Sequence, residues 1–338
     1  MKKLILILCL IVIHQLNAQF EITEQVFDKI TKAPLYGATV YLDGSSVGTA
    51  TDTNGTFKIY IDSKVNAQLV ISFVGYKTYY IEPSEFNSLN TIYLEEKNNE
   101  LDEVVLAKDI WSREKKERYF LSQFLGINEA AKHCIINNLK DVELIYNAEL
   151  NTLMAFSDSP IYITNKHLGY KLQYNLIDFE ITFKNSYPNN LLIIHKVYYA
   201  GTSFFSELKS KPKKKYVKNR TETYNGSIMH FMRSLAAEKL HENSFELYHK
   251  SFKTNPSFHI SVTNMKNTNT KNIVFKSENL SVLYDRQEQS EILLSNPSYN
   301  TISIDHYGNY SPTTTLLFGG SFGQKRISSL LPLDYNMN

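Results

Sequence analysis

The chain has 338 residues, enough for two or three domains that each bury a core, and its 43% hydrophobic and 21% charged residues exclude bulk disorder. A formal net charge of +2 excludes a broadly basic nucleic-acid binder. Tyrosine (23) and phenylalanine (19) are abundant while glycine (13) and proline (9) are sparse, a balance that favours strands over helices.

Lys2 and Lys3 precede an apolar run over residues 4–16, and Ala18 offers a small residue at a cleavage position. This pattern predicts a signal peptide over residues 1–18, cut after Ala18. The run is too short to span a bilayer comfortably. A lipoprotein reading through Cys9 is disfavoured, because Leu8 stands where a small residue is needed. Removal of residues 1–18 takes away two lysines and no acid, so basic and acidic residues balance in the mature chain. It leaves Cys134 as the only thiol, which rules out an internal disulfide. No later apolar run approaches the length of a transmembrane helix, about 18 residues.

Residues 20–96 read as closely spaced short strands. Val40 and Leu42 alternate with Thr39 and Tyr41; Phe57, Ile59 and Ile61 follow at period two, then Leu69, Ile71 and Phe73. Gly55 after Asn54 and Gly75 after Val74 supply the positive φ of tight turns. The pattern predicts a small β-sandwich. Three segments carry a resemblance: Pro34-Leu35-Tyr36-Gly37-Ala38-Thr39-Val40, Gly48-Thr49-Ala50-Thr51-Asp52-Thr53-Asn54-Gly55-Thr56-Phe57, and Ser72-Phe73-Val74-Gly75-Tyr76. In this order they resemble the carboxypeptidase-regulatory-like domain found in exported proteins of Bacteroidetes-type bacteria. The resemblance implies a seven-strand transthyretin-like sandwich and a cell-envelope setting. It implies no peptidase activity, since that domain accompanies a separate catalytic one.

Residues 97–110 read as a linker holding the apolar patch Leu101-Asp102-Glu103-Val104-Val105-Leu106. A similar stretch follows this kind of sandwich in TonB-dependent receptors, so an accessory of such an uptake system is one alternative; a plain interdomain strand is the favoured reading. Too few residues follow position 110 for a plug and a large barrel.

Residues 111–338 are expected to form a β-rich α+β domain. Helices are predicted over 111–124, with Gly126 to end it, and over 227–240, where Ile228, Phe231, Met232 and Leu235 fall at helical spacing. Strands are predicted over 142–146, 150–156, 161–164, 170–176, 179–183, 191–199, 245–250, 257–262, 272–276, 280–284 and 300–306. Lys166-His167-Leu168-Gly169-Tyr170, the segment from Gly226 to Arg233, and Leu330-Leu331-Pro332-Leu333-Asp334-Tyr335 resemble a C-terminal portion of short envelope proteins without assigned function.

The chemistries open to these residues are few. No His-Glu-x-x-His occurs, and His230, His241 and His249 are not spaced to share a helix face. Gly319-Gly320-Ser321-Phe322-Gly323 matches a nucleophile elbow formally, but no histidine follows it, and it reads as a glycine-rich turn. Lys209, Lys211, Lys213, Lys214, Lys215, Lys218 and Arg220 form a basic run around Pro212, read as a solvated hairpin loop or as a contact for anionic headgroups or an acidic glycan. The expectation is an exported envelope protein, periplasmic or associated with the outer membrane, that binds or scaffolds. It would have no catalytic, metal or cofactor residues, and its partner would be another envelope protein, a glycan or the outer-membrane surface rather than nucleic acid. The rival is a hydrolase, peptidase or glycosidase, with a dispersed site in residues 111–338.

Overall fold

The computed structural model describes residues 19–62, 65–97, 110–189, 191–266 and 270–336. The expected signal peptide and the 101–106 patch lie outside these residues. The first body has seven strands: β1 (Gln19–Asp28), β2 (Thr39–Leu42), β3 (Gly48–Ala50), β4 (Thr56–Asp62), β5 (Leu69–Ser72), β6 (Tyr79–Ile81) and β7 (Ile92–Leu94). They form two sheets, ordered β4-β1-β7 and β3-β2-β5-β6, which is the expected seven-strand sandwich. The period-two pattern of β4 is the cause: Phe57, Ile59 and Ile61 point into the core with Val26, Val40, Leu69 and Ile71. Gly55 sits at φ +72°, and a Cβ there would come within 2.4 Å of the Val26 carbonyl oxygen.

The second body begins with α1 (Arg113–Phe124), capped by the Ser112 hydroxyl accepting from Lys115 N–H, and α2 (Glu129–Lys132). Six strands follow: β8 (Cys134–Ile136), β9 (Glu143–Asn147), β10 (Thr152–Phe156), β11 (Ile161–Asn165), β12 (Tyr170–Asn185) and β13 (Leu192–Glu207). β12 is the spine of one sheet. One of its edges pairs with β13 throughout, and the other pairs first with β11 and then with β10. The two strands expected over 170–176 and 179–183 are thus one, interrupted only by an irregularity at Ile177. Phe120 and Phe124 of α1 pack on Phe179, and Trp111 stacks on Tyr146 at 3.8 Å. The basic run, expected as a hairpin loop, instead enters α3 (Lys214–Tyr224), which starts just after Pro212 with its N-cap at Lys213, since lysine and arginine are good helix formers.

The third body starts with α4 (Ile228–Ala236) and holds β14 (Phe245–His249), β15 (Phe252–Thr254), α5 (Pro256–His259), β16 (Ile260–Asn264), β17 (Lys271–Phe275) and β18 (Asn279–Tyr284). It continues through β19 (Glu288–Leu294), β20 (Thr301–Ile304), β21 (Tyr310–Ser311), β22 (Leu316–Gly319) and α6 (Gly320–Gln324). Sheets β15-β14-β18-β19-β22 and β16-β17-β20-β21 enclose a core of their own around Phe231, Phe245, Phe275 and Phe322. Residues 111–338 therefore carry two cores, and Ile327 and Leu331 return to the core of the second body.

Candidate functional site

The second body and the C-terminal segment meet the sandwich at the end of β2 and on the β2–β3 loop. Period two turns Val40 and Leu42 inward in the sandwich, so Tyr41 faces out, yet it is fully buried because β12 and β13 cover it. Asn175 Nδ2 donates to the Tyr41 hydroxyl, which lies 2.9 Å from Thr202 Oγ1. Its ring packs on Phe204, and Phe204 fills the space a side chain at Gly48 would need, 2.5 Å from a Cβ built there. Beyond Tyr41 the main chain joins β13 like a short parallel strand: Gly44 N–H donates to Ser203 O at 2.8 Å, and Phe205 N–H donates to Ser45 O at 2.9 Å. Asp43 Oδ1 accepts from Ser203 N–H at 2.7 Å. Burial pushes the Asp43 carboxyl up to about 6, against the pull of the Ser203 and Gly44 amides.

The C-terminal segment closes over the same loop. Asp334 accepts from Ser46 N–H at 2.7 Å and from the Ser46 hydroxyl, while Leu333 N–H donates to Gly44 O at 2.7 Å. Arg233 of α4 holds that segment through Leu333 O and Tyr335 O and also reaches Tyr307 O, all within 2.9 Å. The third body grips the sandwich directly: Asp305 accepts from Asn66 N–H at 2.8 Å, and the Tyr307 hydroxyl donates to Asp62 at 2.6 Å. A cleft of about 50 Å³ lies in the seam, between Tyr76 and Tyr80 of the sandwich and Ser157–Pro160 of the second body.

Residues 22–106 match the family model described as CarboxypepD_reg-like domain. The N-terminal module is a CarboxypepD_reg-like domain. No curated protein matches the chain. The CarboxypepD_reg-like domain is a non-catalytic β-sandwich, compatible with binding or scaffolding. In this chain its β2–β3 loop is the part built into the neighbouring sheet.

Of the basic run, Arg220 does not face outward. It is buried, paired with Glu207 at 2.7 and 2.8 Å, bonded to Leu168 O, and laid on the Tyr170 ring at 3.7 Å. A charge so placed needs these partners, and a glutamate 13 residues upstream is not a local signal. Lys209, Lys211, Lys213, Lys214, Lys215 and Lys218 are exposed. Lys218 lies 3.6 Å from Glu222 and Lys213 sits over the Tyr216 ring. The first turn of α3 carries no acidic residue. This corner is held in place by Arg220, by Asn219 Nδ2 donating to His167 O at 2.8 Å, and by Tyr216 packed on Gly169.

The other sequence candidates are engaged in structural contacts. His230 lies under Tyr224 and Phe245, where burial holds its pKa down to about 4; His249 faces His259. His241 lines a cavity of about 350 Å³ with Glu246 and Arg286. Burial pushes the Cys134 thiol up to about 12. The Gly319–Gly323 segment is not a turn but the end of β22 running into α6, and Ser321 donates to Glu288 at 2.7 Å, the carboxylate that Lys325 also binds. Among the described residues no three His, Cys, Asp or Glu side chains gather as a metal-binding group, and no helix is long and apolar enough to cross a membrane.

Proposed function

We propose that this is an exported cell-envelope protein that binds or scaffolds and does not catalyse. The observation that carries the reading is the use made of the CarboxypepD_reg-like domain: the end of its β2 and its β2–β3 loop, with Tyr41, Asp43 and Ser46, are spent on fixing the second body and the C-terminal segment rather than on lining a reaction cavity. Such a molecule presents surfaces in a set relation to one another. The lysine corner from Lys209 to Lys218 is the surface suited to an anionic partner, since its charges are displayed on a braced segment and mostly lack acidic neighbours.

Three experiments test this. N-terminal mass spectrometry of the protein recovered from cell fractions should find Gln19 first, in the envelope fraction; an intact Met1 in the cytosol overturns export. Purified protein should bind vesicles containing phosphatidylglycerol and release them at raised salt. Exchanging Lys211, Lys214 and Lys215 for Gln should weaken that binding. Equal binding to neutral vesicles, or binding only to an acidic polysaccharide, removes the membrane as partner. About one zinc per chain, with chelator-sensitive peptide hydrolysis, would restore the hydrolase reading.

A further inference from the structure

The outer edge of β13 is covered over only part of its length. Gly44 and Ser45 take up Ser203 O and Phe205 N–H, but the stretch from Leu192 to Tyr199 has no such cover. Its main-chain groups can be oriented from the neighbouring strands. Phe183 N–H donates to Asn151 O, on the β10 side of β12, so Phe183 and Ile194 opposite it form a non-hydrogen-bonded pair. The N–H and C=O of Ile194 therefore point away from the sheet. Ile181 stands two residues before Phe183 on β12, so its partner Val197 points the same way, across the irregularity at His195. Among the described residues nothing bonds these outward groups of Ile194 and Val197.

The side chains beside this edge are apolar. Ile193 is 50% exposed on one face together with Tyr198, Ile194 is exposed on the other, and Tyr187 at the hairpin tip is 99% exposed. Only His195 and Lys196 bring charge to the stretch. A long, open, apolar edge of this kind is ordinarily guarded by charge, proline or cover.

We propose that β13 pairs antiparallel with β13 of a second copy of this chain, joining the two sheets into one. The site is continuous with an interface already formed, since the sandwich loop uses the adjoining Ser203–Phe205 segment of the same edge. That loop limits the register, since the hairpin tip of the second copy must stop short of it, and a twofold pair that joins outward N–H and C=O groups within this limit centres on Ile194. Leu192 points outward as Ile194 does, so with the extra residue at His195 each Leu192 lies opposite Val197 of the other copy, and each His195–Lys196 step opposite its Ile193. A register centred on Lys196 would set like charges face to face. The Ile194-centred arrangement is self-complementary, as a twofold interface requires.

Light scattering and sedimentation of the mature chain at about 100 µM should find a dimer. Ile194→Pro deletes an outward N–H and leaves the β12 ladder intact, so it should give a monomer with unchanged circular dichroism. Ile193→Lys should weaken the dimer by at least about tenfold, while Ile193→Glu, placed to meet Lys196, should keep it. A monomeric wild-type chain, whether alone or carrying an unrelated polypeptide on this edge, overturns the proposal. So does a dimer that survives both Ile194→Pro and Ile193→Lys.

Discussion

The hydroxyl of Tyr41 lies 2.9 Å from that of Thr202, 161 residues further along the chain. Asn175 donates to the same hydroxyl, so three buried polar side chains satisfy one another across the junction of two bodies. Tyr41→Phe keeps the ring against Phe204 and strands the other two groups. It should cost about 1–3 kcal/mol, measured by urea unfolding at neutral pH. Tyr41→Ala, which also empties the ring's place, should cost more, about 3–5 kcal/mol. A neutral Tyr41→Phe would mean that water replaces the hydroxyl and that the junction is wet.

Tyr41 also marks where the sequence stops being readable. The alternation of Phe57, Ile59 and Ile61 and the positive φ of Gly55 are local, so the sandwich was legible from its own residues. The same alternation assigns Tyr41 to solvent. What buries it is a sheet more than a hundred residues away, and no local pattern carries that information. The basic run divides in the same manner: its lysines are exposed as composition suggests, while Arg220 is drawn in by Glu207 and Tyr170. β19 and β22 went unread because Glu288, Glu291 and Gly319 interrupt their apolar pattern at positions that only their neighbours explain.

Asp43 makes the junction sensitive to pH. Folding raises its pKa from 3.8 to about 6, with Tyr41, Tyr80 and Tyr174, all neutral in this range, as its other facing groups. Between those values the folded chain keeps a proton that the unfolded chain releases. The contribution to stability is present below about pH 4 and is lost as pH rises through 6, by about 1.4 kcal/mol for each pH step of one between those limits. His230, held down to about 4, acts in the opposite sense over an overlapping range. The clean comparison is therefore variant against wild type at each pH. Asp43→Asn keeps an acceptor for Ser203 N–H and buries no charge, so it should melt above wild type at pH 8, keep about half of that advantage at pH 5 and lose it by about pH 4. An advantage independent of pH would place the Asp43 charge in water.

Arg220 and the lysines before it should respond in opposite directions. Arg220→Ala leaves Glu207 unpaired and the Leu168 carbonyl without its donor, and should cost about 3–5 kcal/mol. Lys214→Glu and Lys215→Glu place acid in the first turn of α3, where the helix dipole favours it. Each should stabilise by about 0.3–1 kcal/mol. Thermal melts of the three single variants decide the matter; a destabilising Lys214→Glu would show that the lysines are already paired within the fold.

The C-terminal segment should couple the bodies more than its length suggests. Arg233 holds Leu333 O and Tyr335 O from α4, and from there Asp334 and Leu333 reach Ser46 and Gly44 of the sandwich. One guanidinium thus links the third body to the first through a strap whose Leu333 packs on the sandwich core. Arg233→Ala removes donors from three carbonyls at once, including Tyr307, whose hydroxyl is itself bonded to Asp62. The sandwich core around Phe57 and Ile71 is untouched by this change, so each body should stay folded while their coupling weakens. Urea unfolding should then separate into two transitions where wild type shows one, with tryptophan fluorescence following Trp111 of the second body and tyrosine absorbance following all three. Asp334→Ala should produce the same separation to a smaller degree, because Leu333 N–H still donates to Gly44. A single cooperative transition in both variants would place the coupling in Tyr41 and the Gly44–Ser45 pairing alone.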